Sequence, residues 1–322
     1  MLKAYDYIVT SPDRSMLQSE GQGSEEWSLA EAAVSKINCK KVPCSSGCIA
    51  CGCFDIKPFF EKWGVTYYRC LSCESVFVAA DADILEVYKK DEDLLAFRKE
   101  KKYQDEASDK RDLIWDELLE WVSFRAFRYL GTNKGLVVTD FGNRYVGLIK
   151  KIKESKIFRS YSLRDSIWGE TAENERSADI ILSFDRIQQT SEPLKLLTEA
   201  NAELSKGGLL FLSARMGTGF DILTLKSHAQ IYPYEYVFLP SRQALFNLLE
   251  RGGFKLLDYS TPGQMDVGYV MSRYEHIEED NYLIRSLLRD ADATILGEFQ
   301  RFLQKSCMSS YARIVARKEV DL

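Results

Sequence analysis

The sequence predicts an α/β chain: a doubly wound, mostly parallel sheet behind a small cysteine-bearing module and a helical linker. Three observations carry that expectation. Beyond Gly131, short apolar runs alternate with stretches of helical periodicity. Residues 81–130 are instead charged and helical. Ahead of them stand Cys48, Cys51, Cys70 and Cys73, two CxxC pairs with eighteen residues between them.

The cysteines carry the sharpest chemical signal. Two CxxC pairs at this separation are the sequence form of a structural zinc site. Each pair sets two thiolates on a tight turn, and the residues between fold back as a hairpin. Residues 54–60 read as one strand and 64–69 as the other. Four thiolates close a tetrahedral shell and leave no position for water, so such a zinc is structural. Cys39, Cys44 and Cys53 lie beside the motif and Cys307 far from it. Cys44 or Cys53 is an alternative ligand, but the matched two-residue spacers favour the symmetric set.

Composition narrows the rest. The chain has 322 residues, a formal charge of −5 and 45% hydrophobic residues, an ordinary globular balance. Its length suits two or three domains. No apolar run reaches the roughly 20 residues that span a bilayer. Residues 1–13 lack the basic-then-apolar plan of a signal peptide. The expected compartment is therefore reducing cytoplasm, where thiolates stay free for metal. The mild acidity argues against a general nucleic-acid binder.

The elements follow in order. Ser28 and Glu31 read as a capping box ahead of Ala32, Ala33 and Val34. The ribbon closes with Val76, Phe77 and Val78, which sets an N-terminal unit of residues 1–80. In the linker, 81–130, the early apolar set is Leu85, Val87, Tyr88, Leu94, Leu95 and Phe97. A second linker helix covers about 112–130, with Ile114, Leu118, Trp121, Val122 and Phe127 at helical spacing and Gly131 as its C-cap. Residues 131–322 form the sheet domain, with a helical insertion at about 275–306. Strands are expected at 136–140, 158–163, 178–184, 209–213 and 254–259. Helices fall at 146–157, 193–204 and 241–251, and Lys206, Gly207 and Gly208 form a turn. In such sheets ligands sit beyond the carboxyl ends of the strands, where strand order reverses.

At this point the chain resembles the class I S-adenosylmethionine-dependent methyltransferases that carry an N-terminal zinc ribbon. The resemblance covers residues 48–318, through CIACG and YYRCLSCESVFV in the ribbon. It continues through ADIILSFDRIQQTSEPLKLLTEANAELSKGGLLFLSA, then IYPYEYVFLPSRQALFNLLERGGFKLLDYSTPGQMDV, and the tail SSYARIVARK as a last, antiparallel strand. It implies a Rossmann-like methyltransferase sheet, S-adenosylmethionine as methyl donor, and a sugar or surface-polysaccharide precursor as acceptor.

The departures are specific. The family follows its first strand with an acidic residue and three glycines at alternate positions. Here Asp140 and Gly142 match, Arg144 and Val146 replace the later glycines, and Gly147 falls one residue late. Glycine serves there because a Cβ would keep the backbone from the cofactor. The resemblance assigns Asp140, Gly142, Gly147, Phe184 and Asp185 to the cofactor. No acidic residue in 158–162 stands ready for the ribose hydroxyls, and Asp165 is out of place. The stretch from Lys156 to Asp179 is short, so the family's third strand is expected to be reduced or absent. Gln188 and Gln189 replace the family's Glu-His, while Glu235 keeps its place beside Tyr236 and Phe238.

Methyl transfer from a sulfonium asks the protein to align acceptor, methyl carbon and sulfur, and to supply a base. His228, in the loop over the expected cleft, is the candidate base, with Glu235 and Tyr236 as alternatives. The expected activity is methyl transfer to a sugar or related small metabolite. The alternative is a non-catalytic scaffold or regulatory member of the fold, which the missing glycines and ribose acid favour. The ribbon offers a surface for a protein partner. Its Lys40, Lys41, Lys57, Lys62 and Arg69 are diluted by Asp55, Glu61 and Glu74, against a nucleic-acid role.

Overall fold

The computed structural model describes residues 20–36, 47–78, 84, 87, 91–97, 109–142, 146–155, 158–164, 177–264 and 266–320. The larger sheet is built from β4 (Leu136–Phe141), β5 (Phe158–Arg164), β6 (Ala178–Phe184), β7 (Leu204–Arg215), β9 (Phe254–Ser260) and β10 (Tyr311–Lys318). Their order across the sheet is β5-β4-β6-β7-β10-β9. β5, β4, β6 and β7 run parallel, and β10 is antiparallel to both β7 and β9. The last strand is thus antiparallel, as the resemblance implies. The chain enters at β4, moves out to β5 and returns across to β6, so strand order reverses between β4 and β6. Residues 165–176, where a third strand would fall, lie outside the described residues.

Alternation along the central strands explains the two covered faces. Side chains on a strand point to opposite sides in turn. Ile180, Leu182 and Phe184 of β6 and Leu209 and Phe211 of β7 face Leu118, Trp121, Val122 and Ala126 of α2 (Asp109–Leu130). Ile181, Leu210, Leu212 and Ala214 face the other way, toward α4 (Pro193–Glu203) and α6 (Arg242–Arg251). Strands buried on both faces read as near-continuous apolar runs, which is why they are visible in the sequence.

The linker helix α2 is part of that core. It begins at Asp109, three residues before its expected start, and ends where Gly131, at φ +76°, donates its amide to Phe127 at 3.0 Å. Arg313 of β10 pairs with Glu117 at 2.8 Å and lies 5.6 Å from the Trp121 ring. A second ion pair, Arg125 with Asp258, is buried outright.

Several boundaries differ from expectation. α1 spans Glu20–Ser35, so Ser28 lies inside the helix and is not its cap. Burial of Glu26, Ala30, Ala33 and Val34 carries the helix through the capping signal. α3 (Val146–Glu154) stops short of the expected 157, because β5 begins at Phe158. β7 absorbs the expected turn at 206–208: its register jumps from Ala178↔Leu204 to Ile180↔Leu209, a bulge with Gly207 at φ +77°.

The smaller sheet joins β1 (Ile56–Lys62), β2 (Val65–Cys70), β3 (Val76–Val78) and β8 (Phe238–Leu239), in that order. β8 belongs to the sheet domain, between α5 (Phe220–Leu225) and α6. The ribbon is therefore completed by a segment from the other half of the chain. Beyond β9 come α7 (Asp266–Met271), α8 (Tyr282–Asp290) and α9 (Ala293–Lys305), ahead of β10. No described helix is long and apolar enough to cross a membrane.

The Arg125–Asp258 pair gives a direct test of how α2 is held. Asp258→Ala removes the carboxylate partner of a buried guanidinium, and an equilibrium denaturant titration is expected to show a loss of about 3–5 kcal/mol. A loss below about 1 kcal/mol, the level of a surface pair, contradicts this account.

Candidate functional site

The four thiols of Cys48, Cys51, Cys70 and Cys73 converge. Cys48 Sγ lies 3.6 Å from Cys73 Sγ, Cys51 Sγ lies 3.6 Å from Cys70 Sγ, and all four fall within 4.8 Å of one another. A disulfide requires roughly 2.05 Å, so these are free thiols. Four sulfurs at about 2.3 Å from a tetrahedral zinc stand about 3.8 Å apart, so the set fits that ion. The hydrogen bond between the two sulfurs pulls the Cys73 thiol down and pushes the Cys48 thiol up, and a bound metal would take both as thiolates. Cys53 is outside the cluster, its sulfur accepting from the Asp55 amide at 3.4 Å. Cys39 and Cys44 lie outside the described residues.

The two knuckles are the same turn built twice. Cys48 donates its amide to Cys53 O at 2.9 Å and accepts from Gly52 at 2.7 Å. Cys70 donates to Ser75 O at 2.9 Å and accepts from Glu74 at 2.9 Å. The fifth residue of each turn is left-handed: Gly52 at φ +76° and Glu74 at φ +62°. Glycine adopts that conformation freely, whereas glutamate there costs about 1–2 kcal/mol.

Helix α6 lies across both knuckles. Ser241 caps it, accepting from the Ala244 amide at 3.1 Å while its hydroxyl donates to Cys73 O. The Ser241 amide donates to Ser75 Oγ at 3.2 Å. At the helix's other end, Arg251 donates to Ala50 O at 2.7 Å.

The strand-end crevice is the second site. Asp140 is fully buried at the carboxyl end of β4, and its carboxylate accepts the Tyr161 hydroxyl at 2.8 Å. Burial first, and then the Asp140 charge, push the Tyr161 hydroxyl far up, so it stays a protonated donor. Gly142 follows at φ +80°. Gly147 sits in the first turn of α3, and Arg144 lies outside the described residues. Thr139 Oγ1 and Ser162 Oγ are 3.1 Å apart on β4 and β5, and β5 carries no carboxylate.

At the neighbouring strand end, Asp185 is left-handed at φ +55° and is held by Ser213: its amide donates to Ser213 Oγ at 3.0 Å and to Ser213 O at 3.2 Å, and the hydroxyl donates back to its carboxylate at 2.9 Å. Phe184 turns the other way. Its ring packs 6.2 Å from Trp121 under α2, so that side chain serves the core. Gln188 is buried and accepts the Arg215 amide at 2.8 Å.

The expected base lies at the surface. His228 is exposed, and its ring stacks on His276 with centroids 4.0 Å apart and planes at 7°. Burial, then the His276 and Lys62 charges, push it below the usual histidine range. Glu235 is buried, its amide donating to Tyr232 O at 2.8 Å. Tyr236 is half-buried, with the Arg215 guanidinium 5.8 Å from its ring.

One group had no signal in the sequence. Arg215, at the end of β7, pairs with Asp221, which in turn takes the Ser310 hydroxyl. Asp266 accepts from the Ser310 amide and the Ser309 hydroxyl, each at 2.7 Å, and from Gln300 at 2.8 Å. Lone aspartates and serines in loops have no spacing rule, so only the fold brings them together.

No family model and no curated protein matches the chain. Among solved structures, neighbours include S-adenosylmethionine-dependent methyltransferases. The plantazolicin methyltransferase BamL, in complex with a triazolic desmethylPZN analog and SAH, is 13% identical, with 74% of this chain and 95% of that chain covered and a TM-score of 0.42. Coclaurine N-methyltransferase, bound to N-methylheliamine and SAH, is 14% identical over 64% of this chain and 73% of that one, at 0.39. The cyclase SpnF is 15% identical over 64% and 81%, at 0.37.

Two measurements test the cluster. Cys70→Ser is expected to lose stoichiometric zinc by elemental analysis; full retention contradicts the ligand set. Glu74→Gly keeps the turn and relieves the left-handed strain, so it is expected to stabilise the metal-loaded protein by about 1 kcal/mol in denaturant.

Proposed function

We propose that the chain binds S-adenosylmethionine beyond the carboxyl ends of β4 and β6 and transfers its methyl group to a small molecule. The observation that carries this reading is Asp140, fully buried at the end of the central strand where strand order reverses, with left-handed Gly142 two residues on. Gly142 lets backbone approach a ligand, and the Asp140 carboxylate would accept hydrogen bonds from its polar end. The Ser162 and Tyr161 hydroxyls stand where a ribose acid is expected. When bound, the cofactor supplies an activated methyl on a sulfonium sulfur.

The chain's own residues have three tasks in this reading. Tyr161 fixes the Asp140 carboxylate, Ser213 fixes Asp185, and a base takes the acceptor's proton. Tyr236, half-buried beside Arg215, is the preferred base, with Glu235 and His228 as alternatives. A sugar-type acceptor rests on the resemblance of the ribbon and strand-end blocks. Zinc in the four-cysteine cluster is structural, the ribbon is a surface for a protein partner, and reduced thiolates suit the cytoplasm.

A second reading has its own support. The Tyr161 hydroxyl already occupies Asp140, and β5 offers no carboxylate. Both features suit a non-catalytic scaffold of the same fold.

Calorimetric titration with S-adenosylmethionine and its demethylated product separates the two. Saturable binding is expected, weakened about tenfold, or about 1.4 kcal/mol, in Asp140→Asn. Silence at millimolar ligand sinks the enzyme reading and leaves the scaffold.

A further inference from the structure

Arg215 is the last residue of β7, at the ligand-binding end of the sheet. It is oriented from two sides. Its amide donates to buried Gln188 at 2.8 Å, and its guanidinium pairs with buried Asp221. Asp221 is itself held by Ser310, whose amide is fixed by Asp266 at 2.7 Å. A guanidinium offers five donors in a rigid fork. Among the described residues, Arg215 Nε is buried and has no hydrogen-bond partner. A buried donor left this way costs about 1–3 kcal/mol.

Two further basic side chains belong to the same region. Arg273 stacks on Tyr269, 4.2 Å from the ring centroid, and the Tyr269 hydroxyl donates to His228 O at 3.3 Å. Lys62 donates to the carbonyls on either side of His228, Ser227 O at 2.9 Å and Ala229 O at 2.7 Å. Its ammonium also lies 3.7 Å from the Trp27 ring centroid. Among the described residues, neither Lys62 nor Arg273 forms an ion pair. Burial first, then the charges of Arg215 and Arg273, push Lys62 down to about 6, against a smaller opposing pull from Glu31. Arg215 and Arg273 also both act on Tyr269. Basic groups gathered in a partly buried place favour an anion, whose charge would also draw a proton back onto Lys62.

We propose that Arg215 and Arg273, backed by Lys62 and framed by Tyr236 and Tyr269, form a recognition site for an oxyanion group, a phosphoryl or carboxylate, on a small ligand. Arg215 supplies the oriented fork, and Arg273 a second charge that its tyrosine holds in place. If the chain is a methyltransferase this group belongs to the acceptor. That assignment rests on the preceding reading, whereas the site does not.

The test uses the full chain without S-adenosylmethionine. Inorganic phosphate and malonate are titrated separately by calorimetry at constant ionic strength set with chloride. Saturable millimolar binding of at least one is expected, and the preferred anion identifies the group as phosphoryl or carboxylate. Arg215→Lys retains the charge opposite Asp221 but loses the fork, and is expected to weaken binding about tenfold. Arg273→Gln, at a half-buried position, is expected to weaken it about fivefold without moving the melting temperature, from loss of a single charge. No saturable heat with either anion, or unchanged affinity in both variants, overturns the proposal. Anion binding by a chain that ignores S-adenosylmethionine overturns only the methyltransferase reading.

Discussion

The pairing of β3 with β8 is the contact on which the two halves of the chain depend. Val76 and Phe77 lie opposite Leu239 and Phe238, and Val78 donates to Val237 O at 2.9 Å. This short antiparallel bridge makes one sheet from segments some 160 residues apart in sequence. Its neighbours reinforce it. Phe77 and Phe238 are both fully buried, in the core that also holds Cys48, Cys70 and Cys73. Ser241, two residues past β8, joins the α6 cap to the second knuckle. Without the bridge, the ribbon and α6 would each expose the apolar face they now share.

The loop between α5 and β8 is consequently held at both ends by the N-terminal module. β3 fixes its far end, and Lys62 of β1 fixes the near end through the Ser227 and Ala229 carbonyls. Between them, Ile231, Tyr232, Tyr234 and Val237 are buried with Ala30, Val34 and Tyr67 from the module. Tyr236 and Glu235 lie within this span, so their positions are set by residues of the ribbon. A hairpin stapled at four thiolates is a rigid template for that purpose, because its strands cannot slide without breaking the cluster.

Legibility followed the range of the interactions. β4, β6 and β7 are buried on both faces, so their apolar runs stand out, and α2 shows its stripe through Leu118, Trp121 and Val122. The knuckles were readable because the chemistry fixes their spacing. β8 was not, since two residues carry no periodicity and its only reason to be a strand is β3. The capping signal at Ser28 was legible and overridden, because burial beneath the ribbon outweighs a single cap. In the crevice, the end of β4 could be located from Asp140 and Gly142, but not the Tyr161 hydroxyl that meets it from β5. Neither could the chain from Arg215 through Asp221 and Ser310 to Asp266, which joins the ends of different elements. The stacking of His228 on His276 was not legible either, since the two lie in separate loops.

Ser241 gives this arrangement a thermodynamic meaning. One hydroxyl both caps α6 and holds the peptide carbonyl of Cys73, a member of the four-thiol cluster. Metal retention and order in the preceding loop then share a free-energy term, and such linkage is reciprocal. A metal that tightens the knuckle favours the loop's folded form. Any ligand that favours that form must, by the same factor, raise the affinity for a metal at the cluster. A metal held by the cluster would thus be an energetic counterweight for any ligand that favours the folded loop.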